Sequence, residues 1–438
     1  MSTPRNGRRR FLVLAMIFGL TVINYADRST MSIAGTSILK SLDINPVMLG
    51  VIFSAFAWAY AIGQIPGGWF VDRFGAKRVY GISIILWSTC TLLQGVTGWL
   101  GFSAMSAVVF LFIVRFLLGL VESPAFPANS RVVSCWFPTS ERGTASALFN
   151  SAQYMAVVIF TPLMGIIVHE LGWEYVFIIM GVLGFIAGAG WFMFYRDPKQ
   201  DRHISPEELA FMEEGGALVN IEQNRREKKT RISLNEIMIL FKQRNLWALY
   251  VGQYCITALT YFFITWFPIY LIQGRGMSIM QAGWIAALPA ICGFLGGISG
   301  GALSDLMIRK GIHASAARKT PFIIGMLLST TLVLANFTEQ NTLVIALMSL
   351  AFLGKGFAAI GWAAVSDVAP PKMIGLCGGV FNGLGNIAGI ITPIVIGYVV
   401  NVTGSFSLAL WFVAAHGILG IFSYSIIATR FRRITDVE

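Results

Sequence analysis

Charged side chains are scarce in this sequence. Asp, Glu, Lys and Arg make up 12% of its 438 residues, against roughly 25% in soluble domains. Cysteine is sparse and unpatterned: Cys90, Cys135, Cys255, Cys292 and Cys377 form no CxxC pair, so neither a disulfide framework nor a thiolate metal site is expected. The four histidines, His169, His203, His313 and His416, are equally dispersed, and His416 reads as a packed residue in the last apolar run. No nucleophile–base set or metal-ligand cluster is visible, which argues against an enzyme. A nucleotide loop is missing too. GKGF has Ser349 five positions before Gly354, and Lys355 is followed by Gly356, not Ser or Thr, so this chain is not expected to use ATP or any cofactor.

What fills the chain is apolar. It is 56% hydrophobic with a mean hydropathy of +0.70, the composition of a multi-spanning membrane protein. Twelve apolar segments begin near Phe11, Met48, Val79, Ser103, Thr144 and Tyr175, then near Leu246, Gln281, Pro321, Thr342, Ile374 and Ser407. Their lengths near 20 residues and lack of alternation predict helices, not a β-barrel. The fold class expected is all-α, with twelve transmembrane helices in two pseudo-symmetric six-helix bundles. The arginines before FLVLAMIFGL resemble a signal-peptide start, but the apolar run continues, so a retained first helix is expected.

The net charge of +11 comes from positives in alternate loops: the N-terminus, Arg73 to Arg78, Arg131 and Arg142, the central stretch, Arg309 to Lys319, Lys372, and Arg430 to Arg433. The opposite loops offer little beyond Lys40 and Arg275. Nucleic acid is therefore not an expected partner; the pattern is an orientation signal that puts both termini and the central loop in the cytoplasm. The chain divides into 1–195, a six-helix bundle; 196–244, a cytoplasmic linker; and 245–438, a second bundle. Ser205-Pro-Glu-Glu208 and Ser233-Leu-Asn-Glu236 have capping-box form and predict short linker helices.

The halves repeat one another. GWFVDRFGAKR after the second segment matches GALSDLMIRKG after the eighth, each with Gly, then Asp four residues on, then basic residues. Gly143, Phe149-Asn150 and Thr161-Pro162 of the fifth segment match Gly375, Phe381-Asn382 and Thr392-Pro393 of the eleventh. Such duplication places a site between the halves, near mid-membrane.

Ionisable residues inside apolar runs are the first candidates, since a charge at mid-depth costs roughly 2.5–3.5 kcal/mol on insertion scales. In VRFLLGLVESPAFPAN, Arg115 and Glu122 leave one helix face about 10.5 Å apart, so each needs a partner on another helix or serves to glue helices. The first segment carries Asn24, Tyr25, Asp27 and Arg28; Tyr25 and Arg28 share a face, while Asp27 and Arg28, being adjacent, do not face each other. Further polar positions are Tyr60 and Gln64, Asn150 and Gln153, Gln253 with Tyr254, Thr257 and Tyr261, and Asn382 with Asn386. Each serves equally as a helix–helix hydrogen bond or a substrate contact. Together they suit a polyhydroxylated ligand. In the tenth segment Lys355 and Trp362 are seven apart, sharing a face on a continuous helix, and Asp367 lies near its end.

The glycine–aspartate–arginine loop (Gly68, Asp72, Arg73, with Asp305 in the weaker second copy) resembles the cytoplasmic loop motif of the major facilitator superfamily and is expected to serve as a gate latch. With Tyr25-Ala-Asp27-Arg28, FSAFAWAYAIGQIPGGW, Arg115 to Pro127, FNSAQY and GQYCITALTYFFITWFPIYL, the whole chain is similar to the anion:cation symporter branch of that superfamily. It is most similar to bacterial D-glucarate/galactarate transporters and more distantly to the D-galactonate transporter. The resemblance implies proton-coupled uptake of sugar acids across the bacterial inner membrane by alternating access. It implies Asp27 and Glu122 as proton carriers, with Arg28, Tyr60, Arg115, Gln153, Gln253, Trp362 and Asn382 around the substrate. Ala359 and Gly361 stand where galactonate relatives are expected to offer hydroxyls.

The expected function is thus a sugar-acid symporter, with Tyr25 and Asn150 added to the substrate contacts, and a monomer in the bilayer. Open alternatives are an aldonate or hexuronate symporter, a uniporter or Na⁺-linked organic-anion carrier, and a membrane sensor, for which no extended signalling domain is seen. Lys355 is the clear intramembrane base of the second half, with Gly354 and Gly356 expected to leave space around it, and is the candidate for a second carboxylate.

Overall fold

The computed structural model describes residues 8–138, 141–219, 238, 240–369, 374–432 and 434. The motif at 233–236, the side chains of Asp72, Arg142, Asn150 and Arg309, and Lys372 and Arg433 lie outside the described residues. Among the described residues twelve helices are long and apolar enough to cross a membrane. They are Arg9–Ser41, Pro46–Gln64, Ala76–Trp99, Ala104–Trp136, Ser151–Glu170, Trp173–Phe194, Arg244–Gly274, Ile279–Ile308, Ala314–Phe337, Asn341–Val365, Cys377–Thr403 and Ser407–Ile427. They are the first to twelfth helices below.

Local chemistry explains several starts. Asn45 accepts the Met48 N–H at 2.9 Å ahead of Pro46, which lacks an N–H to satisfy. Ser278 and Gln281 cap each other's backbone at 3.1 Å. The turn after the second helix needs a positive φ, and Gly75 supplies it at 86°.

The linker departs from its expected form. Ser205 accepts the Glu208 N–H at 3.1 Å and starts the helix Pro206–Glu214. Only half of the capping box forms, because the Glu208 carboxylate turns to the first helix. There it accepts the backbone N–H groups of Arg9 and Arg10 at 3.2 Å and Arg10 Nη1 at 3.1 Å. Those N–H groups are orphans of a helix start, where a negative charge is also favoured by the helix dipole. Asp201 pairs with Arg9 Nε at 2.8 Å and Glu141 with Arg10 Nε at 3.0 Å.

The first and second sets of six helices meet at the end away from the basic loops. Ser32 donates to the Thr265 carbonyl at 2.7 Å, and Thr161 to the Gly283 carbonyl at 3.0 Å. Gly50 of the second helix lies against the backbone of Pro393 of the eleventh, and Gly397 of the eleventh against that of Pro46. At the basic end, Arg318 of the ninth helix binds Asp367 at 2.8 Å and Asp305 at 3.7 Å, tying the eighth, ninth and tenth helices together. Arg73 lies over its own helix neighbours Trp69 and Phe74, 5.0 and 5.6 Å from their ring centres, and Gly68 faces open space.

The candidate substrate and proton site

The fourth helix is broken: it runs from Ala104 to Glu122, and a second segment starts at Ala125. Ser123, in the break, donates to the Gly63 carbonyl at 2.9 Å and so fixes it against the second helix. One turn earlier Gly119 lets the Phe56 backbone come where a side chain would stand. That approach carries the Phe56 ring between two guanidinium groups, 4.7 Å from Arg28 Cζ and 5.7 Å from Arg115 Cζ.

Glu122 finds its partner on the first helix. Arg28 Nε donates to Glu122 Oε2 at 3.0 Å, and the Glu122 side chain is 0% exposed. The Arg28 guanidinium is boxed by Tyr25 at 4.7 Å and Tyr60 at 4.8 Å in addition to Phe56. Asp27, also 0% exposed, points elsewhere and lies in electrostatic reach of Glu122 and Arg115. Both Asp27 oxygens, Arg28 Nη2, Arg115 Nε and Nη1, and Glu122 Oε1 are buried without a hydrogen-bond partner among the described residues. Leaving one buried polar group unmatched costs about 1–3 kcal/mol, and more for a charged one. A cluster this expensive is the mark of a functional membrane site.

Between the halves, Tyr25, Ser29, Gln153, Tyr154, Val157, Thr260, Ile264 and Phe352 line a cavity. Lys355 adjoins it: its Nζ is 5.4 Å from the Tyr154 ring and 5.0 Å from the Phe352 ring. Asn382 of the eleventh helix donates to Gln64 of the second at 3.4 Å, a contact across the halves. Gln253 packs under Gly361 and Gly385.

Two expectations about the tenth helix are corrected. The helix stops at Phe357 and restarts at Gly361, so Lys355 and Trp362 do not share the face of one continuous helix. Trp362 is 51% exposed and stands edge-on to Phe381, ring centres 5.1 Å apart. Gly354 and Gly356 do not leave space around Lys355 either; they are close approaches to the backbones of Gly325 and Gly293. His416 is a packed residue, its Nδ1 2.8 Å from the Phe412 carbonyl oxygen.

Sequence reasoning missed Phe56 and Tyr154, and it singled out Tyr261 only as one of several polar positions on the seventh helix. The Tyr261 side chain, against which Gly389 packs, is in electrostatic reach of Arg28 and Arg115. The i, i+4 spacing of Phe56 and Tyr60 was the available signal, and the rings do stack at 5.4 Å. An aromatic ring on an apolar helix, however, says nothing of what lies above it.

The Major Facilitator Superfamily model matches residues 17–317. The chain belongs to that superfamily. Its superfamily relatives include the probable galactarate/D-glucarate transporter GudP of Bacillus subtilis (strain 168), 51% identical over 97% of this chain and 93% of that protein. The probable galactarate/D-glucarate transporter GarP of Escherichia coli (strain K12) is 47% identical over 97% of this chain and 96% of its own. The D-galactonate transporter of Escherichia coli O6:H1 is 38% identical over 99% of each. The D-xylose–proton symporter structure shares the superfamily fold, with a TM-score of 0.69 at 15% identity over 96% of this chain and 98% of that one. This superfamily member is a multi-pass membrane transporter and not an enzyme.

Proposed function

We propose that the chain is a proton-coupled symporter importing the aldarates D-glucarate and galactarate by alternating access. It works as a monomer in the bacterial inner membrane with both termini cytoplasmic. The observation that carries the reading is the Arg28–Glu122 pair at 3.0 Å, buried inside a ring of aromatics. Glu122 occupies the guanidinium that a substrate carboxylate would take. A proton on Glu122 removes its charge and frees Arg28 for a planar, two-point contact with the substrate. Each ligand thereby favours the other, which is the coupling free energy that symport requires. Asp27 and Arg115 form a second acid and base in the same reach.

Residues 1–195 and 245–438 act as the two rocking units, and 196–244 links them. Tyr25, Tyr60, Asn150 and Gln153 from one unit and Gln253, Trp362 and Asn382 from the other supply contacts to the sugar hydroxyls. The relatives named for galactarate and D-glucarate support the substrate, because they align over nearly the whole chain. Gly68, Asp72 and Arg73, in the last turns of the helix Pro46–Phe74, and Asp305, near the end of the helix Ile279–Arg309, hold those helix ends during the exchange; they stand in helices and not in the loops that the sequence motif suggested.

The test is uptake of labelled D-glucarate into proteoliposomes with and without an inward proton gradient. Accumulation above the external concentration only with the gradient is expected. Uptake that merely equilibrates indicates a uniporter, and dependence on Na⁺ alone indicates a sodium-linked carrier.

A further inference from the structure

A second positive group adjoins the cavity. Lys355 lies in the last turn of the first segment of the tenth helix, where Gly354 and Gly356 press that segment against the ninth and eighth helices. With both flanks so occupied, the lysine faces the fifth helix. It is 4% exposed, and no carboxylate pairs with it among the described residues. Its neighbours are the Tyr154 and Phe352 rings, which line the cavity. Tyr25 of the first helix lines the same cavity and carries the Arg28 guanidinium on its ring at 4.7 Å. Each half therefore contributes a basic group packed on aromatic rings that line this cavity, Arg28 on Tyr25 and Lys355 on Tyr154 and Phe352.

A buried base without an acidic partner is costly, and aromatic faces compensate only in part. A diacid resolves that cost; a monoacid resolves it at one end only. We propose that Lys355 receives the distal carboxylate of a substrate whose other carboxylate is held on the Arg28 side. Lys355 thereby selects dicarboxylates over monocarboxylates of the same sugar. This rests on the sugar-acid reading above. The lysine stem is flexible enough to turn its ammonium from the rings to a carboxylate. The contact spans the two halves, so a diacid is also the ligand that holds them together.

The test is calorimetric binding of galactarate and galactonate, which differ at one terminal carbon, to the purified full chain. The wild type should prefer galactarate. Lys355→Gln should lose about 30-fold or more in affinity for galactarate and no more than about threefold for galactonate. Lys355→Arg should restore most of the preference. Equal losses for both ligands, or no loss for either, overturn the proposal. A comparison needing no variant is galactarate against its monoamide on the wild type, where equal affinity also overturns it, even if Lys355→Gln does not fold. Binding of both acids by the wild type leaves the sugar-acid reading standing whichever way Lys355 decides. Binding of neither overturns that reading and this proposal together.

Discussion

Glu122 is paired with Arg28, ninety-four positions away on the first helix, at 3.0 Å, while Arg115 of its own helix approaches Phe56. The fourth helix thus offers its acid to one neighbour and its base to another. In the symport proposed above, proton and substrate exchange as partners around one guanidinium.

That exchange predicts a separation of functions in Glu122→Gln. Glutamine keeps an oxygen for Arg28 Nε but cannot carry the proton. Counterflow of labelled glucarate between loaded and external pools should persist, while gradient-driven accumulation falls at least about tenfold, the loss of a coupling of roughly 1–3 kcal/mol. Accumulation at the wild-type level would remove Glu122 from the mechanism.

Lysine should not replace arginine at either position. Arg28 lies within 4.8 Å of three ring centres and is pinned by a carboxylate, a geometry suited to a flat, delocalised cation. Arg28→Lys and Arg115→Lys should each weaken glucarate binding by about 1.5–3 kcal/mol, the worth of a charge-assisted hydrogen bond. Near-normal calorimetric affinity in both would rule out two-point carboxylate recognition.

The seam between the halves is built from backbone approaches at Gly50 and Gly397. A β-carbon at either would run into the backbone of Pro393 or Pro46. Gly50→Val and Gly397→Val should disfavour this closed end by about 1–3 kcal/mol. The check is a thiol reagent applied from the side opposite the basic loops to a cysteine placed at Ser29. Labelling should rise in both variants, and unchanged labelling would contradict the seam.

Linker attachment should depend on pH through Asp201. Burial pushes its carboxyl up, but the hydrogen bonds it accepts from the His203 backbone N–H and from Arg9 outweigh burial and hold it below the usual carboxylate range. A group depressed in the folded state stabilises above its unfolded value, about 3.9, and loses that contribution as pH falls through the folded value. Asp201→Asn should therefore melt at a lower temperature than the wild type at neutral pH. The gap should close as pH falls through the folded value of Asp201. A gap independent of pH would mean that Asp201 acts through packing.

Much was written in the sequence by itself. The bilayer leaves backbone groups no solvent, so runs near 20 apolar residues must be helices, and twelve were legible. The cost of charge in lipid marked Asp27, Arg28, Arg115, Glu122 and Lys355, since such residues persist there only for a reason. Helical periodicity also set the direction in which each side chain leaves its own helix. Tertiary structure decided what each one meets. Partner choice depends on interhelical distance, and that is set by small groups elsewhere: Gly119 admits the Phe56 backbone, and Gly354 and Gly356 turn Lys355 toward Tyr154. The break at Phe357 separates Lys355 from Trp362, and Glu208 leaves its own helix start to cap the first helix. Periodicity carries no information about such events, because each depends on a competing contact from a distant part of the chain.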